Sequence, residues 1–190
     1  MPPVEIRLLG GFHVKLDGAS HALPARVQAL LTYVILQGEG GCSRQQLAFA
    51  FWPESGDKQA RTNLRRLLLL TRRALPQADE LLSHTGQQIA WSPQIPVCVD
   101  MLAFAQGIAA APENGPARRP ALEAALAAYA GDLLPDCYDE WILPERERLR
   151  VAYAQTLDEL TLLAENQRDY PGAIGYARRL LEHDPLHEAS

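Results

Sequence analysis

The stretch KQARTNLRRLLLLTRRALPQA, Lys58–Ala78, holds one lysine and five arginines in a chain of 190 residues whose formal net charge is −5. At 100° per residue, the spacing predicts an amphipathic helix from Asp57 to about Leu75. Its apolar side is predicted to carry Ala60, Leu64, Leu67, Leu68, Thr71 and Leu75. The opposite side, called the basic face below, carries Lys58, Arg61, Thr62, Arg65, Arg66, Arg72 and Arg73.

The basic face has almost no acidic residues to balance its charge, Asp57 being the only one nearby. A solvated surface stripe is the alternative interpretation, but such stripes usually alternate acids and bases at i,i+4. A row of cations without acids repels itself, and a polyphosphate relieves that repulsion while counterions are released. Leu69 interrupts the row: a second domain, a partner subunit or RNA polymerase would cover it, although a single exposed leucine is common.

Charge is distributed unequally between the two halves of the chain. Residues 1–95, the first half, contain 10 basic and 7 acidic residues, whereas residues 96–190, the second half, contain 8 and 16. The first half therefore carries +3 and the second half −8. Together with the length of the chain, this change of charge between the halves predicts two domains that meet near residue 95.

The first half has the element order of a winged helix-turn-helix. Apolar residues alternate over residues 4–16, which predicts a small antiparallel sheet. A helix follows from Pro24 to about Gly38, and Ser43 with Gln46 forms a capping box that opens a second helix. The basic helix is third, with Asp57 as its predicted N-cap. The segment LLSHTGQQIAWS, residues 81–92, reads as a closing hairpin.

This order assigns candidate DNA contacts, because the third helix of such a fold enters the major groove and the second crosses the backbone. Arg61 and Arg65, one turn apart, are candidates for guanine O6 and N7. The other candidates are Lys58 and Thr62 near base edges or phosphates, Arg66, Arg72 and Arg73 at phosphates, His84, Thr85 and Gln87 in the hairpin, and Arg44 at the start of the second helix.

The second half is rich in alanine and leucine and reads as all-helical. Its predicted helices are Met101–Ala111, Ala121–Ala130, Pro144–Asn166 and Tyr170–His183, separated by proline and glycine. The last two are similar to one tetratricopeptide-type hairpin, and because such repeats need neighbours we expect the helical domain to continue beyond Ser190. Trp141 is predicted to anchor packing within this domain.

Eight segments of the chain form a recognisable series: IRLLGGFHVKLDG (6–18), LPARVQALLTYVIL (23–36), FWP (51–53), ARTNLRRLLLLTRRAL (60–75), VDMLAF (99–104), ALAAYAGDLLPD (125–136), DEWILPERERLR (139–150) and YPGAIGYARRLLEHDPLHEA (170–189). In this order they resemble the Streptomyces antibiotic regulatory protein (SARP) family, which joins a winged helix to a bacterial transcriptional activator domain. The resemblance implies a transcriptional activator that binds direct repeats near promoters as a homodimer and recruits RNA polymerase. The leucine run Leu67–Leu70 departs from the more polar sequence expected there.

Other functions have little support in the sequence. Ser43 and Ser83 have no catalytic neighbourhood, the Gly10-Gly11 pair lacks the spacing of a phosphate-binding loop, and we predict no enzyme activity, cofactor or metal. Without a signal peptide or an apolar run of membrane-spanning length, a cytoplasmic location is expected. One rival hypothesis stays open: a helical-repeat interaction adaptor whose basic helix docks an acidic protein, or the acidic second half itself.

Overall fold

The computed structural model describes residues 4–75, 77–92 and 94–183, so the Asp184-Pro185 pair and the rest of the chain after His183 lie outside the described residues. Its strands are β1 Val4–Arg7, β2 His13–Leu16, β3 Ala19–His21, β4 Cys42–Ser43, β5 Leu82–Thr85, β6 Gln88–Trp91 and β7 Val97–Val99. Its α-helices are α1 Ala25–Leu36, α2 Arg44–Phe51, α3 Asp57–Ala74, α4 Ala78–Leu81, α5 Asp100–Ala110, α6 Arg118–Leu126, α7 Leu143–Asn166 and α8 Tyr170–His183.

The N-terminal sheet has the strand order β3-β2-β1-β7. Val4 and Ile6 of β1 point into the core, whereas Glu5 and Arg7 between them are exposed, as the period of two predicts. β1 and β2 are antiparallel, but β7 pairs with β1 in parallel, with Val4 opposite Val97. The expectation of a purely antiparallel sheet is therefore wrong, because the second half contributes an edge strand.

The predicted helices of the first half are present. Ser43 accepts a hydrogen bond from the Gln46 backbone N–H and the Gln46 side chain accepts one from the Ser43 backbone N–H, so the capping box of α2 is confirmed. Gly56, not Asp57, is the N-cap of α3, and the carboxylate of Asp57 lies in the first helical turn, where it suits the helix dipole. The hairpin is β5 and β6, which with β4 form a second sheet of three strands in the order β4-β6-β5.

The apolar side of α3 is buried as its spacing predicts. All six residues expected there are at most 5% exposed: Ala60, Leu64, Leu67, Leu68, Thr71 and Leu75. This side packs against α1 and α2. Burial of four leucines stabilises the helix by roughly 1.5–3 kcal/mol each, which fixes the rotation of α3 and turns its opposite side outward.

The second half is helical, and its helices begin or end within a few residues of the predicted bounds; α6 differs most, spanning Arg118–Leu126. α5 packs on α6, and α7 and α8 form one antiparallel hairpin. The side chain of Arg119 in α6 binds Asp169 at 2.5 Å and Gln167 at 2.9 Å, in the turn between α7 and α8. The guanidinium thereby holds the hairpin against the preceding pair of helices.

Backbone contacts join the two halves beside β1. Leu9 and Leu133 form a β-bridge, and the Gly10 N–H donates to the Asp132 carbonyl at 2.8 Å. Gly10 has φ +80°, and a Cβ there would lie 3.0 Å from the Ala130 carbonyl oxygen, so this close approach requires glycine. The two halves are thus hydrogen-bonded to each other as well as connected in sequence.

The carboxylate of Asp100 adds a further link, because it accepts hydrogen bonds from the backbone N–H groups of Leu8 and Leu9 at 2.9–3.0 Å. Burial raises the pKa of this carboxyl, and the backbone donors oppose the shift. The division into domains 1–95 and 96–190 stays a prediction, since the two halves share a sheet and one apolar core.

Trp141 does not pack where the sequence predicts. Its ring stacks on Phe51 with centroids 5.7 Å apart and meets the edge of Tyr33 at 5.1 Å, so its aromatic contacts are in the first half. Its indole N–H donates to Asp139, which also binds Arg26 of α1 at 2.6 Å. We call this cluster of Arg26, Tyr33, Phe51, Asp139 and Trp141 the aromatic junction.

Candidate nucleic-acid interface

The basic face of α3 is open to solvent. Its six cationic residues, Lys58, Arg61, Arg65, Arg66, Arg72 and Arg73, are all exposed, and Thr62 is half-buried with its hydroxyl donating to the Lys58 carbonyl at 2.9 Å. The α3 axis is about 27 Å long at 1.5 Å per residue, which allows such a face to span several base pairs of a groove. The structure therefore brings all seven predicted α3 residues onto one accessible surface.

Two cations of the basic face have acidic partners. Arg61 lies 3.7 Å from Asp57, an exposed i,i+4 pair of little energetic weight. Arg72 donates to Asp79 of α4 at 2.7 Å, a partner that sequence reasoning missed because it lies beyond the end of the helix. Within the described residues, the other four cations form no salt bridge, so most of the charge is not balanced locally.

Arg44 and the hairpin lie next to each other at the start of α2. The Arg44 backbone N–H donates to the Gln87 carbonyl at 2.8 Å, and β4 pairs with β6 immediately before it. Thr85 and Gln87, at the turn between β5 and β6, are exposed. The hairpin is thus fixed to the second helix, and its polar tip projects into solvent.

His84 is the one titratable hairpin residue whose pKa is shifted within the described part of the chain. Burial lowers its pKa below the usual 6.5, the positive charges of Arg44 and Arg72 lower it further, and Asp79 opposes them. Its Nδ1 is buried without a hydrogen-bond partner among the described residues. These effects indicate that Arg44, Arg72 and His84 share one electropositive region, which joins the basic face to the hairpin.

A shallow groove of about 390 Å³ separates α2 from the start of α3. Phe49 and Trp52 line one wall and Ala60 and Arg61 the other, and Phe49 is 71% exposed. No sequence pattern predicted this groove, because the spacing of α2 does not identify which phenylalanine is left outside the core. Phe51, two residues later, is 3% exposed.

Membrane and metal chemistry are not indicated in the described ranges. None of the helices there is both long enough and apolar enough to cross a bilayer. No group of three or more His, Cys, Asp or Glu residues is arranged there to hold a metal ion. The cysteines are free: Cys42 is buried, Cys137 half-buried and Cys98 exposed.

Comparisons with known proteins identify the second half. Residues 99–190 match the family of the bacterial transcriptional activator domain. Among solved structures, Mycobacterium tuberculosis EmbR in complex with a low-affinity phosphopeptide is similar to the chain, with a TM-score of 0.65 and 18% identity. The match covers 98% of this chain but spans only 62% of the EmbR chain. No curated protein matched the sequence.

The chain is an α+β winged helix-turn-helix followed by an all-helical part that matches the bacterial transcriptional activator domain. The chain is therefore similar to transcriptional activators of the SARP type, through the match of its residues 99–190 and through its fold. The resemblance seen in the sequence is therefore confirmed, and so is the predicted fold class.

Proposed function

We propose that the chain binds double-stranded promoter DNA with sequence specificity, through α3 in the major groove. One observation carries this proposal: six exposed cations lie on one side of α3, and only two of them have acidic partners in the described residues. Duplex phosphates would supply the missing negative charge, with release of counterions. The buried leucines on the other side of α3 hold these cations outward.

Base reading is assigned to the N-terminal part of the basic face. Arg61 and Arg65, both exposed, are proposed to donate to guanine O6 and N7, and Lys58 and Thr62 to contact nearby base edges or phosphates. Asp57 does not prevent this role of Arg61, because a 3.7 Å pair between exposed groups is easily exchanged for a bidentate contact.

Backbone contacts are assigned to the surfaces that flank these residues. Arg66, Arg72 and Arg73 are proposed to bind phosphates along the groove, with Arg72 exchanging Asp79 for a phosphate oxygen. Arg44 lies beside the hairpin, which supports a shared contact of Arg44, His84, Thr85 and Gln87 with one phosphate strand. These contacts position the protein on the duplex, whereas the base contacts carry sequence information.

The second half is proposed to activate transcription by contacting RNA polymerase or a second copy of the chain on direct repeats, in the bacterial cytoplasm. Its match to the family of the bacterial transcriptional activator domain supports this role. The rival adaptor function requires an acidic protein on the basic face. Docking of the acidic second half onto the basic face is not supported by the salt bridges, because both acidic partners of the face, Asp57 and Asp79, belong to the first half.

A gel shift on DNA sites selected from a random duplex library tests the proposal. Arg61→Ala and Arg65→Ala should each lower discrimination at one base pair by about 1–3 kcal/mol. Arg178→Ala, at an exposed arginine of α8 outside the basic face, is the matched control and should leave binding unchanged. If the full chain selects no sequence, or if both α3 variants keep affinity and preference, the assignment is wrong.

A further inference from the structure

Leu69 is an apolar residue in the middle of the basic face. On the α3 wheel, Lys58, Thr62, Arg65 and Leu69 fall within about 60° of one another and form the centre line of the face. Four arginines stand one turn away from the leucine: Arg65, Arg66, Arg72 and Arg73, at i−4, i−3, i+3 and i+4. Because Leu69 lies on the centre line with guanidinium groups on both sides, its side chain would reach deepest into a groove that the face occupies.

The structure itself does not cover this leucine. Leu69 is 47% exposed although both halves of the chain are in place, so the described part of the second half does not bury it. The neighbouring Leu70 is similarly exposed, at 40%, but lies about 100° further round the helix and outside the basic face. The two leucines therefore differ in position on the helix much more than in exposure.

The major groove of DNA offers one apolar group at the base edges, the C5-methyl of thymine. Three of the four surrounding arginines have no acidic partner in the described residues, so a partner that neutralises them must be polyanionic. Duplex DNA is a polyanion that also presents a methyl group between its phosphate rows. We propose that Leu69 contacts a thymine methyl group and thereby specifies T·A at one position of the binding site. This inference rests on the proposed DNA binding and deepens it.

The helix geometry locates that thymine. Leu69 is four residues beyond Arg65, which is about 6 Å along the axis of α3. Neighbouring base pairs are about 3.4 Å apart, so the thymine should lie about two base pairs from the guanine read by Arg65. This spacing applies when α3 lies along the groove, and it puts the T·A pair on the side of that guanine towards the C-terminal end of α3.

The test uses the full chain and a duplex selected from a random library. Each thymine of the selected site is replaced in turn by uracil, which removes only the C5-methyl group and keeps the base pair. Binding is measured by fluorescence anisotropy for the wild-type chain, for Leu69→Ala and for the matched control Leu70→Ala. Circular dichroism melts establish that both variants fold, as expected for residues that are 47% and 40% exposed.

At one thymine, uracil should weaken wild-type and Leu70→Ala binding about fourfold, the effect of one buried methyl group, and should leave Leu69→Ala binding unchanged. The inference is overturned if no thymine shows this sensitivity in the wild type, if Leu69→Ala keeps it, or if the selected site contains no thymine near the Arg65 guanine. Failure of the wild-type chain to select any duplex would instead refute the proposed function.

Discussion

Replacing Trp141 by alanine should destabilise the whole chain, although the residue lies in the second half. The substitution removes a ring stacked on Phe51 at 5.7 Å, an edge contact with Tyr33 at 5.1 Å and a hydrogen bond to Asp139. Each aromatic pair contributes about 0.5–1.5 kcal/mol beyond the apolar area it buries. Because Trp141 is only half-buried, we expect a total loss of about 3 kcal/mol in the free energy of unfolding, below the upper range for Trp→Ala in a core.

For a chain of this size, that loss should lower Tm by about 6–12 °C, measured by circular dichroism and checked by urea unfolding. Tyr138→Ala is the control: Tyr138 is 85% exposed, and its variant should stay within about 0.5 kcal/mol of wild type. A wild-type melt in two separate transitions, or a Trp141→Ala loss no larger than that of Tyr138→Ala, would refute the view that the aromatic junction couples the halves.

Two further predictions concern the surface assigned to DNA. Arg73→Ala should weaken binding evenly across sequences and reduce the slope of log K against log salt by about 0.9. Arg72→Ala should reduce this slope less, because Asp79 already neutralises Arg72 in the free chain, and equal slopes for the two variants would contradict this explanation. The pKa of His84 is lower in the folded than in the unfolded chain, so as pH falls below 6.5 the unfolded chain takes up the proton first and stability is lost. Urea melts at pH 7.5 and 5.5 should therefore show a smaller pH effect in His84→Gln, and an unchanged difference would remove His84 as its source.

Local patterns predicted the first half well. The apolar spacing of α3 is confirmed at all six positions, because one amphipathic helix has only one way to bury such a stripe. The capping box of α2 is confirmed because both partners lie within one turn of each other. The N-cap of α3 was wrong by one residue, since Gly56 adopts the extended conformation that Asp57 was expected to adopt.

Contacts between distant residues were beyond the reach of these patterns. The three residues of β7 are too few for periodicity to reveal that they pair with β1, and a parallel partner leaves no turn signal. The link between Arg72 and Asp79 depends on how the chain turns after α3, which the helix wheel does not contain. Which side chains touch DNA stays a prediction, although the exposure of the basic face agrees with the sequence-based expectation.

The parallel pairing of β7 with β1 bears on how the two halves of the chain can be recombined with those of similar proteins. A hybrid made by exchanging everything after residue 95 would remove β7, the parallel neighbour of β1, and where the donor strand does not match, that edge of β1 would be open to intermolecular pairing. It would also take away the Asp100 carboxylate, so that the amides of Leu8 and Leu9 would need a new acceptor. Functional chimeras should therefore be joined after Asp100, so that the chain keeps its own β7 beside β1 and its own carboxylate acceptor for Leu8 and Leu9.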